Sequence, residues 1–182
     1  PRATLGPDTT LFRSQLLLEP ARIRGLRQVG EARFQLLPLA GADQRHQRAH
    51  FGRDPGDGCR ALGVDGTALE SPVTFTGKEP LSIDGHVYRG RVTVAIDGSL
   101  LDVVDTVGLE QYVKGVIPAE MPSTWPAEAL KAQAIAARSY ALANRAKGRL
   151  FDLYGDTRSQ VYGGVGVETA AASAAVDATK GQ

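Results

Sequence analysis

A single carboxylate stands between two prolines in the stretch Pro118-Ala119-Glu120-Met121-Pro122. Each proline disfavours helical geometry at the residue before it, which predicts a short, stiff connector. Ile117, Met121 and Trp125 lie close to Glu120 in sequence. A carboxylic acid in apolar surroundings tends to have its pKa raised, as a general acid near neutral pH requires. Spacing alone does not separate that reading from a surface glutamate in a turn. A second group of polar side chains follows, with Lys131, Arg138 and Arg145 at seven-residue intervals. They make a solvated cationic face or, because Ile135 and Leu142 share the stripe, a partly buried one in which Arg138 wants a fixed acceptor. Gln160 and Tyr162 are two apart and so share a face if the chain is extended there. That face is either a sugar-binding rim or part of a strand or irregular loop laid across the helix. His46 and His50 are four apart, with Asp54, Asp57 and Cys59 after them. On a helix the two histidines could share a metal. Pro55, Gly56 and Gly58 argue against a regular scaffold and no third ligand has a convincing spacing, so no metal is expected.

The elements that must position these residues are mostly legible. Residues 1–40 read as short strands, with apolar runs at Leu16-Leu17-Leu18 and Ala32 to Leu39. Residues 41–66 are rich in Gly, Asp, Arg and His and read as a long loop. Alternation returns at Val73 to Thr76, Leu81 to Ile83 and His86 to Ile96, and Asp84-Gly85 and Asp97-Gly98 are turn signals. Leu81 to Val104 is therefore expected as an antiparallel meander. A short helix from Leu109 to Val116 follows, with Leu109, Tyr112, Val113 and Val116 as its core face, ended by Gly115 and Pro118. A long helix runs from Pro126 to Gly148, carrying nine alanines between Pro126 and Lys147. Its face of Leu130, Ala134, Ala137 and Ala141 is small enough for another backbone to approach. Residues 167–179 give one more alanine-rich helix. The fold class is α+β: an antiparallel β meander packed on an alanine-rich helix, with a β-rich N-terminal region. The expected division is 1–72 and 73–182.

Composition restricts the rest. The chain has 182 residues, 42% hydrophobic and 23% charged, as in an ordinary globular protein. No apolar run is long enough for a transmembrane span, and no signal peptide is visible in PRATLGPDTT. Net charge is +1, divided unevenly: residues 1–60 hold ten Arg and six acids, for +4, leaving −3 for the remainder. Aromatic-rich basic clusters that would bind nucleic acid are missing. Cys59 is the only cysteine, either a free thiol or half of a bridge.

Three motifs in order, LEQYVKGVIPAEMPSTWPAEALKAQAIAARSYAL, DTRSQVYGG and AAVDATKGQ, resemble the stage II sporulation protein D family, which includes proteins described as amidase enhancers. The similarity is dense from about Leu81 to Gln182. It implies a bacterial, exported protein, secreted or associated with the cell wall, that acts on peptidoglycan. The sporulation members are lytic transglycosylases that cleave glycan strands stripped of stem peptides. By resemblance, the catalytic glutamate is Glu120. The ARSY-like motif contributes Arg138, Ser139 and Tyr140, the LKAQ motif Lys131 and Gln133, and the QVYGG motif Gln160 and Tyr162, all as substrate-binding candidates. Arg138 would hold Glu120 or a substrate oxygen. The implied partners are glycan strands of alternating MurNAc and GlcNAc and, in the rival reading of a non-catalytic module, a cell-wall amidase. Some relatives bind zinc near the second motif. Tyr154 and Arg158-Ser159 replace the ligands here, so no zinc and no cofactor is expected. The family domain continues past the third motif, so the domain is expected to be cut short at its C-terminal end.

Overall fold

The computed structural model describes residues 13–18, 34–35, 49–53, 60–64, 67–76, 80–83, 86–97, 100–146 and 150–182. In chain order the strands are β1 (Arg13–Leu18), β2 (Phe34–Gln35), β3 (Ala49–Arg53), β4 (Arg60–Val64), β5 (Thr67–Leu69), β6 (Val73–Thr76), β7 (Leu81–Ile83), β8 (His86–Tyr88), β9 (Arg91–Asp97), β10 (Leu100–Gly108) and β11 (Leu153–Tyr154). The helices are α1 (Leu109–Glu120), α2 (Ala127–Ala143) and α3 (Ala170–Ala178). The protein is α+β.

The main sheet has the order β11-β1-β10-β9-β6, antiparallel except for the β1–β11 pair. Period-two alternation sends Val92 and Val94 of β9 and Val103 and Val107 of β10 into the core. Tyr112, Val113, Val116 and Ile117 of α1 join the same cluster. Leu130, Ala134, Ala137 and Ala141 of α2 and Ala172, Ala175 and Val176 of α3 complete it. Alanine side chains at these contacts let three helix backbones pack closely. Burying each Val or Leu contributes about 1.5–3 kcal/mol, so this layer is held chiefly by apolar area.

Several boundaries differ from expectation for identifiable reasons. The meander is divided between two sheets: β7 and β8 pair with each other and with β2, whereas β9 and β10 lie in the main sheet. The break comes at Gly90, whose φ of +97° takes the chain out of a continuous strand. A Cβ there would lie 2.2 Å from the Thr106 carbonyl oxygen. In the expected loop at 41–66, β3 and β4 form an antiparallel ladder, with β5 beside β4. His50 is on β3 opposite Gly63, while His46 and Cys59 lie outside the described residues. From the expected N-terminal region, β1 enters the main sheet between β10 and β11.

Helix α1 continues four residues beyond Val116, with Pro118 inside it. Proline removes one hydrogen bond, the one to the Lys114 carbonyl, but Met121 N–H still donates to the Ile117 carbonyl at 3.0 Å. Position so near the helix end limits the damage. At the other end of the connector, α2 stops at Ala143, before the expected Gly148. Asn144 closes it by donating both its backbone N–H, at 3.0 Å, and its side-chain amide, at 2.9 Å, to the Tyr140 carbonyl. Lys147 and Gly148 lie outside the described residues. A 3-10 turn at Val165–Val167 delays α3, which begins behind the capping Thr169.

Candidate functional site

Glu120 is the last residue of α1, and the helix end projects its side chain into solvent. Val161 N–H donates to Oε1 at 3.2 Å. Oε2 has no hydrogen bond among the described residues, so one oxygen is held and the other is presented. The apolar neighbours do not enclose the carboxylate, contrary to expectation. Ala119 is exposed and Trp125 is 52% exposed. The extra turn of α1 past Val116 is the reason: it carries Glu120 outward instead of folding it into a connector.

The Val161 donor belongs to a segment fastened on both sides. Tyr162 N–H donates to the Gly155 carbonyl at 3.0 Å, and Gly163 N–H to the Gly115 carbonyl at 3.1 Å. Gln160 and Tyr162 do share a face, but that face points inward and both are buried. The Tyr112 hydroxyl donates to Gln160 Oε1 at 3.0 Å. The Tyr162 hydroxyl donates to Asp105 Oδ2 at 3.3 Å. The Tyr162 ring lies between Tyr112 and Tyr88, with centroids 5.4 and 6.0 Å away. Gly115 is small for this reason, because a Cβ there would come within 2.6 Å of Tyr162 Cε2. Gln160 and Tyr162 are thus the anchors of the segment and not its rim.

Burial raises the Tyr112 hydroxyl above the ordinary tyrosine range, with further contributions from Tyr140 and Glu120. Tyr112 thereby marks the place where α1, α2 and the 160–162 segment meet. Burial likewise pushes Tyr162 up, with Asp105 adding to it.

Helix α2 divides its expected site residues among three directions. Residues seven apart fall within about 20° of each other around a helix. Gln133 and Tyr140 therefore share one flank of the buried face, and Tyr140, like Glu120, lies near enough to Tyr112 to help raise its hydroxyl. Tyr140 is 37% exposed there. Lys131 and Arg138 share the opposite flank, where Arg138 reaches α3. Ser139 is on the exposed side, about 170° from the centre of the buried face.

Arg138 does not hold Glu120. It is 3% exposed and its acceptor is Glu110 on α1. Nε donates to Glu110 Oε1 at 3.0 Å and Nη2 to Oε2 at 2.7 Å, the bidentate geometry that suits a guanidinium. Nη2 also donates to the Val176 carbonyl at 3.4 Å, and Nη1 to those of Ala134 at 3.4 Å and Gln182 at 3.3 Å. All five N–H groups are engaged, so the side chain ties α1, α2 and α3 together. Lys131 pairs with Glu128 at 2.8 Å on the surface.

From Asp105 to Asp177, every carboxylate except two has a cationic partner among the described residues. Glu110 pairs with Arg138, Glu128 with Lys131, Asp152 with Arg145, Asp156 with Arg158, Glu168 with Arg89, and Asp177 with Lys114. Asp105 and Glu120 are the exceptions, one fully buried and the other exposed. Desolvation pushes Asp105 up to about 8, against a smaller downward effect of the Tyr162 hydroxyl. Its Oδ1 has no hydrogen-bond partner among the described residues. Asp105 falls between the expected meander, which ends at Val104, and the expected helix, which begins at Leu109, so neither element singles it out. The available signal was an acid in the alternating Val103-Asp105-Val107 series, at an inward strand position. Tyr112 was read only as core, and Val161 contributes a backbone donor that no side-chain pattern announces.

Arg158 lies over the Tyr154 ring, 3.9 Å from its centroid. Ser159 Oγ accepts the Tyr154 N–H at 3.2 Å. These contacts shape the turn that leads to Gln160.

Sequence comparison places this site in a known family. The sequence model described as "Stage II sporulation protein" matches residues 97–182, which include Asp105, Glu120 and the 160–162 segment. Stage II sporulation protein D of Bacillus subtilis (strain 168) is 37% identical over 76 residues, 41% of this chain and 22% of that protein. The amidase enhancer of the same organism is 36% identical over 113 residues, 61% of this chain and 15% of the relative. An uncharacterized protein of Brachyspira hyodysenteriae is 37% identical over 111 residues, 59% of this chain and 30% of its own length. The matched part thus spans less than a third of each relative. No solved structure matches the chain. From β10 through α3, residues 97–182 thus match the stage II sporulation protein family, and this part of the chain is similar to relatives named stage II sporulation protein D and amidase enhancer.

Proposed function

We propose that this protein acts on the bacterial cell wall outside the cytoplasm, as a lytic transglycosylase that cleaves MurNAc–GlcNAc strands freed of stem peptides. The observation that carries this reading is Glu120 itself. It is an exposed carboxylate without a cationic partner among the described residues, held through one oxygen at the end of a helix. Most glycosidases use two carboxyl groups, one of them to attack or to activate water. A lytic transglycosylase manages with one, because the C6 hydroxyl of the sugar is the nucleophile. Glu120 gives its proton to the glycosidic oxygen as the bond to MurNAc C1 breaks. The resulting carboxylate accepts the proton of the C6 hydroxyl as O6 bonds to C1. The enzyme ends with its proton restored, no water is consumed, and the product carries a 1,6-anhydro ring.

Tyr140 and Gln133, which share one flank of α2, are the side chains proposed to contact sugar. Gln160 and Tyr162 support the Val161 donor from below. Arg138 is proposed to act by locking the helices, and Lys131 and Ser139 lie on other sides of α2. Mass spectrometry of digested, peptide-free strands tests the reading: anhydro ends are one water lighter than the products of hydrolysis. A second reading is favoured by the relative named amidase enhancer. In it the same surface binds glycan and stimulates an amidase without cleaving. Retained glycan binding with intact strands would decide for that alternative.

A further inference from the structure

We propose that Asp105 is a positioning residue for Glu120: held as an uncharged carboxylic acid, it anchors Tyr162 and, through the Val161 N–H, fixes where the Glu120 carboxylate points. The inference rests on Glu120 being the reacting carboxylate.

The connection is short and continuous. Asp105 Oδ2 accepts the Tyr162 hydroxyl, the Tyr162 ring is wedged against Gly115 of α1, and the residue before Tyr162 supplies the N–H on Glu120 Oε1. Gln160, on the other side of Val161, is fixed separately by Tyr112. Two buried polar contacts therefore bracket the one backbone donor that orients the carboxylate. Of these, only the Asp105 contact changes its charge in the neutral-to-alkaline range.

The surroundings hold Asp105 neutral. It is 0% exposed, and its strand neighbours in register are Val92 and Leu16. The ionisable groups facing it are Tyr162 directly, Tyr112 of α1 beside that ring, and Tyr88 and Glu168 on the far side of Tyr162. Arg89, the cation of that neighbourhood, is paired with Glu168. No described cation faces Asp105, so an ionised form lacks compensation and is costly in the interior. Ionisation turns a neutral contact into a charged one and draws the Tyr162 hydroxyl, or water, toward the carboxylate. Movement of Tyr162 carries Val161 with it. Glu120 then loses its fixed orientation.

The test follows the backbone amide of Val161 and the carboxyl carbon of Glu120 by NMR in isotope-labelled protein, from about pH 6 to about pH 10. Both resonances in the wild type are expected to step with a common midpoint near 8, the value to which burial pushes Asp105. Asp105→Asn abolishes the step. Tyr162→Phe leaves the Asp105 carboxyl titrating but removes the response at Val161. On glycan strands, kcat of the wild type falls through the same midpoint while KM is unchanged. A Val161 resonance that stays flat in wild type while Asp105 titrates overturns the proposal, as does a step that persists in Asp105→Asn. A wild-type step at Val161 and Glu120 without cleavage of glycan at any pH supports the positioning network and overturns the transglycosylase reading instead.

Discussion

Gly115→Ala should destabilise the protein, although ordinary helix energetics predicts the opposite. Gly115 lies inside α1, where alanine is favoured over glycine by about 1 kcal/mol. The added Cβ would sit 2.6 Å from Cε2 and 2.9 Å from Cδ2 of Tyr162, and 3.1 Å from the Gly164 carbonyl oxygen. Comfortable carbon–carbon contacts are about 3.5–4.0 Å, so the ring must retreat by roughly an ångström. It cannot retreat freely, being flanked by Tyr112 and Tyr88 and tied to Asp105. Overpacking of this kind costs about 1–3 kcal/mol, and loss of the Tyr162–Asp105 hydrogen bond adds about 1 kcal/mol. After subtracting the propensity gain, the variant should be less stable by about 1–3 kcal/mol. Urea unfolding at constant m-value measures the difference. A variant more stable than wild type by the propensity increment would refute the claim that Tyr162 is wedged on this glycine.

Arg138→Met removes five donated hydrogen bonds and strands Glu110; unfolding in urea should show a loss of about 3 kcal/mol. Glu110→Gln should lose less, since the amide oxygen can still accept from the guanidinium, and a double-mutant cycle should show coupling above about 0.5 kcal/mol. Thr169→Val removes the hydroxyl that accepts the Ala172 N–H and donates to Ser123; a loss of about 1 kcal/mol is expected in thermal melts. Asp105 ionises near 3.8 when unfolded and near 8 when folded, so the folded protein binds the extra proton between those values. The resulting stability is complete below the lower value and declines as pH rises through about 8. Chemical unfolding at several pH values should show that decline in wild type and a flatter profile in Asp105→Asn.

Patterns that depend on local chemistry were readable from the residues. Alternating valines announced β9 and β10, and alanine spacing announced the buried face of α2. The division of the meander was not readable, because Gly90 breaks the strand by passing close to Thr106, a residue distant in sequence. Proline rules placed the end of α1 too early. They weigh the lost N–H bond but not the apolar packing of Val116 and Ile117 that carries the helix onward. The polar residues of the site showed a related problem. Spacing correctly put Gln160 and Tyr162 on one face, yet only the positions of Asp105 and Tyr112 reveal that this face is internal. The seven-residue repeat joining Lys131 to Arg138 was visible, whereas the Glu110 partner that fixes its meaning comes from another helix.

Glu120 is proposed to perform chemistry and not merely to end a helix. Wild type and Glu120→Gln should be incubated with peptide-free glycan strands, with binding measured beside product mass. Wild type should yield anhydro-muramyl ends, the variant none, and both should bind glycan. Strands left intact by wild type, or anhydro ends formed equally by Glu120→Gln, would contradict that role.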